Sequence, residues 1–233
     1  MTALGAPRLH LRRTDSTNAR ARELAAAGAP HGMLITAAEQ TAGRGRQGRG
    51  WSAPPNSSLL MSLVLREPAR LASLAAGVAV AAVVASARHE SATVGVKWPN
   101  DVLLDGRKVA GILLEGRPQE RWAVLGIGLN VAVRVEQLPS ELQSTAGTLG
   151  LASAAIEPLL ARTLVELERW LEAPDESLLA ALRARDALRG QPVSWSGGAG
   201  TATGIDAVGR LRVSTSAGEV ALDAGEVHLR PGA

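Results

Sequence analysis

The sequence contains no cysteine, no phenylalanine and no tyrosine. Without cysteine there is no disulfide, no thiolate metal site and no thiol nucleophile, and nothing points to an oxidising compartment. Without Phe and Tyr the core has to be built from Leu, Val, Ile and Ala. The five Trp carry all the aromatic content, so stacking on a ligand falls to Trp51, Trp98, Trp122, Trp170 or Trp195. A long membrane-type run is missing too: residues 71–87 are uncharged but fall short of the roughly 20 residues a span needs, and read as a buried core helix. The N-terminus lacks the basic start and apolar stretch of a secretory signal, which makes the cytoplasm the expected location. The net charge of +3 is too small to demand a nucleic-acid partner.

What is present is a 233-residue chain with 46% hydrophobic and 20% charged residues, enough for a self-sufficient core and unlike the composition of disorder. The patterning predicts a strand near residues 9–11, a helix over 16–28 capped by Asp15 or Ser16, and strands over 33–38 and 59–65. A helix apolar nearly all round follows at 71–88. Strands come next at 94–98, 101–104, 109–115 and 122–131, with Asp105-Gly106 as hairpin chemistry, and then helices over 156–171 and 176–188. Residues 41–55 are rich in glycine and arginine with no apolar period, which predicts an irregular loop. From 191 onward the chain reads as short strands between Gly-rich turns, ending in a strand at 226–229. The expectation is an α+β fold with a mixed central sheet and packed helices over residues 1–188, followed by a small β-barrel over 189–233.

Four segments carry candidate chemistry. In Gly43-Arg44-Gly45-Arg46-Gln47-Gly48-Arg49-Gly50-Trp51 the glycines let backbone approach a ligand, and three guanidiniums can fork onto phosphate or carboxylate oxygens. The segment lacks the Lys-Ser/Thr ending of a P-loop. In Lys97-Trp98-Pro99-Asn100-Asp101 a turn fixes the position of an ammonium. Gly111-Ile112-Leu113-Leu114-Glu115 and Gly126-Ile127-Gly128-Leu129-Asn130 read as buried strands whose glycines admit a close neighbour. Asp15-Ser16-Thr17-Asn18 alone reads as a helix cap.

Together, in this order, these segments resemble biotin protein ligases over nearly the whole chain. The resemblance implies a class II synthetase-like ligase domain with a C-terminal SH3-like barrel, ATP and Mg2+ as cofactors, and biotin as substrate. It places Ser16, Thr17, Asn18, Gln40, Arg44, Gly45, Arg46 and Lys97 around biotin. It places Arg44, Arg46, Arg49, Trp51, Lys97, Asn100 and Asn130 around ATP, with Lys97, Arg44 and Arg46 in the catalytic set. Asp101 joins that set by its own chemistry, as a proton acceptor for the attacking lysine amine, and reads equally as a structural turn residue. The acceptor it implies is the lysine of a biotin carboxyl carrier protein or domain. Residue 16 comes too early for the winged helix-turn-helix of some relatives, so sequence-specific DNA binding is not expected, nor is membrane association; a homodimer stays open.

The same fold in lipoate or octanoate transferases is the nearest alternative, although the Arg-Arg-x-x-Gly-Gly pattern is absent. An RNA-binding protein using the Arg/Gly segment is a reading of a different class, opposed by the scarcity of aromatic platforms.

Overall fold

The structure is a computed structural model that describes residues 4–88, 90–223, 225 and 227–229. Its elements run β1 (Arg8–Leu11), α1 (Thr17–Ala26), β2 (Leu34–Ala37), β3 (Gly43–Arg44), β4 (Gly50–Trp51), β5 (Ser58–Arg66), α2 (Ala72–Ser86), β6 (Val94–Lys97), β7 (Asp101–Leu104), β8 (Arg107–Arg117), β9 (Trp122–Asn130), α3 (Ser140–Gln143), α4 (Ile156–Leu171) and α5 (Asp175–Arg183). The C-terminal strands are β10 (Pro192–Trp195), β11 (Gly198–Ile205), β12 (Leu211–Thr215), β13 (Gly218–Leu222) and β14 (His228–Leu229).

Seven strands form one sheet in the order β1-β2-β5-β9-β8-β7-β6. Only β1 and β2 pair in parallel; every other neighbour is antiparallel. The architecture is thus mixed α/β with a mostly antiparallel central sheet. Period-two alternation sends Leu59, Met61, Leu63 and Leu65 of β5, and Leu125, Ile127 and Leu129 of β9, into one core with the uncharged helix α2 and the inward stripe of α4. That stripe, Leu159, Leu160, Thr163 and Leu167, is buried at helical spacing. On the opposite face α1 covers a much smaller cluster of Ala21, Ala25, Ile35, Val64, Trp122 and Val124.

The C-terminal strands form a five-stranded sheet, order β13-β12-β11-β10-β14. Val193, Ala202, Ile205, Leu211 and Val213 belong to the same buried cluster as α2 and the large sheet, so apolar packing runs without a break from one sheet to the other. Polar ties reinforce it: Trp98 Nε1 donates to Gly209 O at 3.0 Å and Arg183 Nε to Ile205 O at 2.8 Å. The start of the last expected strand, Glu226, lies outside the described residues, as do residues 1–3 and 230–233 of the two expected modules.

Two expectations are corrected. The stretch 41–55 is not wholly irregular, because Gly43 pairs with Trp51 and Arg44 with Gly50 in a short hairpin. Backbone pairing requires no apolar period, which is why patterning missed it. Helix α5 ends at Arg183 rather than near 188. Beyond it the backbone bonds to edge strand β6 instead, Val96 N to Arg185 O at 2.7 Å and Ala187 N to Val96 O at 3.1 Å.

Candidate active site

Beside the small apolar cluster under α1, that face of the large sheet carries a patch of small and polar residues. Ser62 projects there from β5, Gly126 and Gly128 from β9, and Gly111 and Glu115 from β8, because each alternates with a residue committed to the α2 core. The missing Cβ atoms make room. A Cβ on Gly128 would stand 2.5 Å from Trp51 Cε2, and one on Gly111 3.0 Å from Trp51 Cζ3. The indole of Trp51 therefore lies over bare strand backbone, and its Nε1 is buried with no hydrogen-bond partner.

The N-terminus of α1 closes one end. Ser16 caps the helix, its Oγ accepting from Ala19 N. Thr17 donates to Gln40 Oε1 through both its backbone N–H, at 2.7 Å, and its hydroxyl, at 3.0 Å. The Ser62 hydroxyl lies 2.8 Å from Thr17 Oγ1 and 2.6 Å from Asn18 Oδ1. With one proton it donates to one of them at a time. Ser16, Thr17 and Asn18 are all buried, so these groups offer donors and acceptors in fixed places. Outside the helix start, the Asp15 carboxyl is held below its ordinary value, first by the Ser16 backbone N–H and then by the Thr14 hydroxyl.

Cations line the same space. A cavity of about 140 Å³ is lined by Ser16, Thr17, Asn18 and Gln40, by Arg44, Arg46, Arg49 and Lys108, and by Trp51. Among the described residues no carboxylate lines it. Arg46 Nη1 donates to Asn100 Oδ1 at 3.1 Å, and Asn100 Nδ2 in turn donates to Ile112 O at 3.1 Å, so the β3–β4 hairpin is tied to the β6–β7 turn. Four cationic side chains lining a polar, glycine-floored pocket suit a small organic acid and a phosphate group.

Comparison with known proteins fits this geometry. Residues 10–131 match the Biotin/lipoate A/B protein ligase family. A biotin–[acetyl-CoA-carboxylase] ligase of Mycobacterium tuberculosis is 40% identical over 93% of this chain and 87% of its own length. The chain belongs to this family. A second ligase of that description, from Paracoccus denitrificans, is 36% identical over 94% of this chain and 99% of its own. A solved biotin protein ligase from Aquifex aeolicus, in complex with biotin and ATP, superposes with a TM-score of 0.82 at 25% identity, covering 97% of this chain and 100% of that one.

Within this family member most of the site residues read from the sequence come together. Ser16, Thr17, Asn18, Gln40, Arg44, Gly45, Arg46, Arg49, Trp51 and Asn100 line one cavity. Lys97 does not line it. Lys97 and Asp101 face an adjoining recess of about 10 Å³ that they share with Arg46, Arg49 and Asn100. Asn130 is not at the cavity either. Its Nδ2 donates to Gly147 O at 2.9 Å and its Oδ1 accepts from Ser58 Oγ at 3.3 Å, so its side chain is spent joining the 147–149 segment to the sheet.

The residue that sequence reasoning missed is Lys108. Its Nζ lies 5.9 Å from the Trp51 ring centroid and 2.7 Å from Asp101 Oδ1. The Asp101 contact is an ion pair off the hydrogen-bond direction, since that oxygen has no aligned donor. Strict alternation from Gly111 would place Val109 on the site face and Lys108 in the core. Between β7 and β8, however, Val102 pairs with Ala110 and Leu103 with Lys108, leaving Val109 as an extra, bulged residue. The bulge buries Val109 completely and turns Lys108 into the cavity. A lysine three residues before the first glycine of Gly-Ile-Leu-Leu-Glu was the only available signal.

Proposed function

We propose that this protein is an ATP-dependent biotin protein ligase that forms biotinyl-5'-AMP from biotin and ATP and then transfers biotin to a lysine of a carboxylase's biotin carrier domain. The observation that carries the reading is the lining of the cavity: hydrogen-bonding groups of Ser16, Thr17, Asn18 and Gln40 together with four cations. Biotin has matching groups, a ureido group with one acceptor and two donors and a carboxylate.

A carboxylate is already ionised near pH 7, so its attack on the α-phosphate needs no general base. The barrier is the approach of an anion to a polyanion, together with the charge that builds on the phosphoryl oxygens. Arg44, Arg46 and Lys108 are placed to offset it, with Lys97 one recess away. Among the described residues no three His, Asp or Glu side chains gather into a metal cage. A magnesium ion arriving with the nucleotide would help to neutralise its phosphates. In the second step a lysine amine attacks the mixed anhydride and AMP leaves without a proton. The amine, whose ordinary pKa is about 10.4, must first lose one. The Asp101 carboxylate, paired with Lys108, is our candidate base to accept or steer it.

The β3–β4 hairpin is suited to close over the anhydride and keep water out. Protease sensitivity of residues 43–50 that falls on adding biotin and ATP is the expected sign. Trp51 is read as the aromatic wall of the acid pocket, with adenine a neighbour. We take residues 1–188 as the ligase domain and 189–233 as an SH3-like module that stiffens it through the shared core. No helix among the described residues is long and apolar enough to cross a membrane, in keeping with action in the cytoplasm.

The deciding experiment is ATP/pyrophosphate exchange supported by biotin, lipoate or octanoate. Exchange with biotin alone, lost in Arg46→Ala and Lys108→Ala, is expected. Exchange with lipoate or octanoate instead would overturn the assignment.

A further inference from the structure

The glutamate of Gly-Ile-Leu-Leu-Glu has no part in the chemistry above, yet it touches two parts of the machinery. Glu115 Oε2 accepts from Asn18 Nδ2 at 2.9 Å. Its Oε1 faces Arg22 Nη1 at 3.4 Å and Arg44 Nη1 at 3.8 Å. Glu115 is also the one carboxylate among the residues lining the 640 Å³ cleft on the outer side of the β3–β4 hairpin.

We infer that Glu115 is a positioning residue that sets the amide of Asn18 and tethers Arg44 of the hairpin, so that one carboxylate holds both a hydrogen-bonding group and a guanidinium of the cavity lining. An ionised carboxylate only accepts hydrogen bonds, so it admits the Asn18 NH2 and rejects the carbonyl. That choice turns Asn18 Oδ1 toward the Ser62 hydroxyl, 2.6 Å away. When Ser62 donates to Asn18, the 2.8 Å contact between Ser62 Oγ and Thr17 Oγ1 takes the Thr17 proton, which leaves Gln40 Oε1 held by the Thr17 backbone N–H alone and with a lone pair for a ligand. The site then presents an acceptor to an N–H group of a cyclic urea. A flipped Asn18 would set its carbonyl against Glu115 and leave Ser62 to donate to Thr17 instead. Gly126 makes the arrangement sterically feasible, since a Cβ there would fall on Asn18 Oδ1. At the hairpin the same charge draws Arg44 toward the sheet, which favours closure once an acid lies beneath it.

The inference rests on the ligase reading, and one set of measurements separates them. Glu115→Gln keeps the shape and an acceptor for Asn18 but removes the charge and its preference for the NH2 end. Biotin-dependent exchange on the whole chain should show a KM for biotin raised about tenfold with kcat within about twofold, the scale of one weakened charged hydrogen bond. Release of preformed biotinyl-adenylate in the absence of acceptor should quicken by a similar factor. Glu115→Ala should raise KM further. A cycle with Asn18→Ala should be non-additive, because without the amide Glu115 has nothing to orient. Wild-type KM and release in both Glu115 variants would overturn the inference, as would a lower Tm and active fraction with KM unmoved, the mark of a purely structural role. A wild-type chain without biotin-dependent exchange would overturn the ligase reading and this inference with it.

Discussion

The two faces of the large sheet are made by the same strands and behave as different materials. Toward α2 and α4, β5, β8 and β9 present Leu59, Met61, Leu63, Ile112, Leu125, Ile127 and Leu129, all 3% exposed or less. Toward α1 the intervening positions around the pocket are Ser58, Ser62, Gly111, Glu115, Gly126 and Gly128, with Val64 and Val124 packed under the helix beside it. The first set is close-packed and gains its stability from buried apolar area. The second leaves space and keeps its polar groups satisfied by one another, so it contributes a pocket instead of a core. One face therefore supplies the stability that lets the other remain hollow.

Substitutions on the two faces should separate accordingly, and a substitution that moved the wrong quantity would break the division. The largest effect is expected for Lys108→Met on the site face: a fall in exchange kcat on the order of 1000-fold, as when one fixed electrostatic partner is removed, with a shift of the urea midpoint smaller than that of Leu125→Ala, arising from the Asp101 carboxylate left without its partner. Next comes Leu125→Ala on the helix face, which is fully buried and should cost about 3 kcal/mol in urea unfolding, with KM for biotin unmoved in the folded protein. Gly128→Ala returns to the site face. Its methyl group meets the Trp51 ring, and displacing the indole should lower exchange about 100-fold, with a smaller change in stability than Leu125→Ala.

The smallest effect belongs to neither face. Glu157 is held below its ordinary 4.5 mainly by its hydrogen bond from Arg8, beyond the sheet edge. A lowered folded pKa adds stability above the ordinary value and loses it as pH falls through the folded one. The Glu157 side chain is 62% exposed, so solvent screening limits Glu157→Gln to under about 0.5 kcal/mol, seen only above roughly pH 4.5. A larger loss, or any change in KM, would show that the edge strand communicates with the pocket.

Much of this division is legible in the residues. The alternation of β5 and β9 announces an aliphatic face, and the serine and glycine positions between mark the face that cannot be core. Ser16 as helix cap follows from local chemistry, whereas the gathering of Ser16, Thr17, Gln40, Arg44 and Arg46 was implied by the resemblance to biotin protein ligases and not by any one segment. The departures share one cause. Lys97 sits one recess away from the cavity, Asn130 is consumed by Gly147 and Ser58, and helix α5 stops early because β6 offers backbone partners to residues 185–187. Each outcome was decided by a neighbour distant in the chain.

The sequence by itself determined the secondary-structure periods, the absence of thiol chemistry, and a strip of guanidiniums bordered by glycine, because those are properties of local residue order. Only the tertiary structure decided which cation enters the pocket. A single bulged residue, Val109, reverses the facing of everything before it on β8, and the pairing that creates the bulge exists only once β7 and β8 lie side by side.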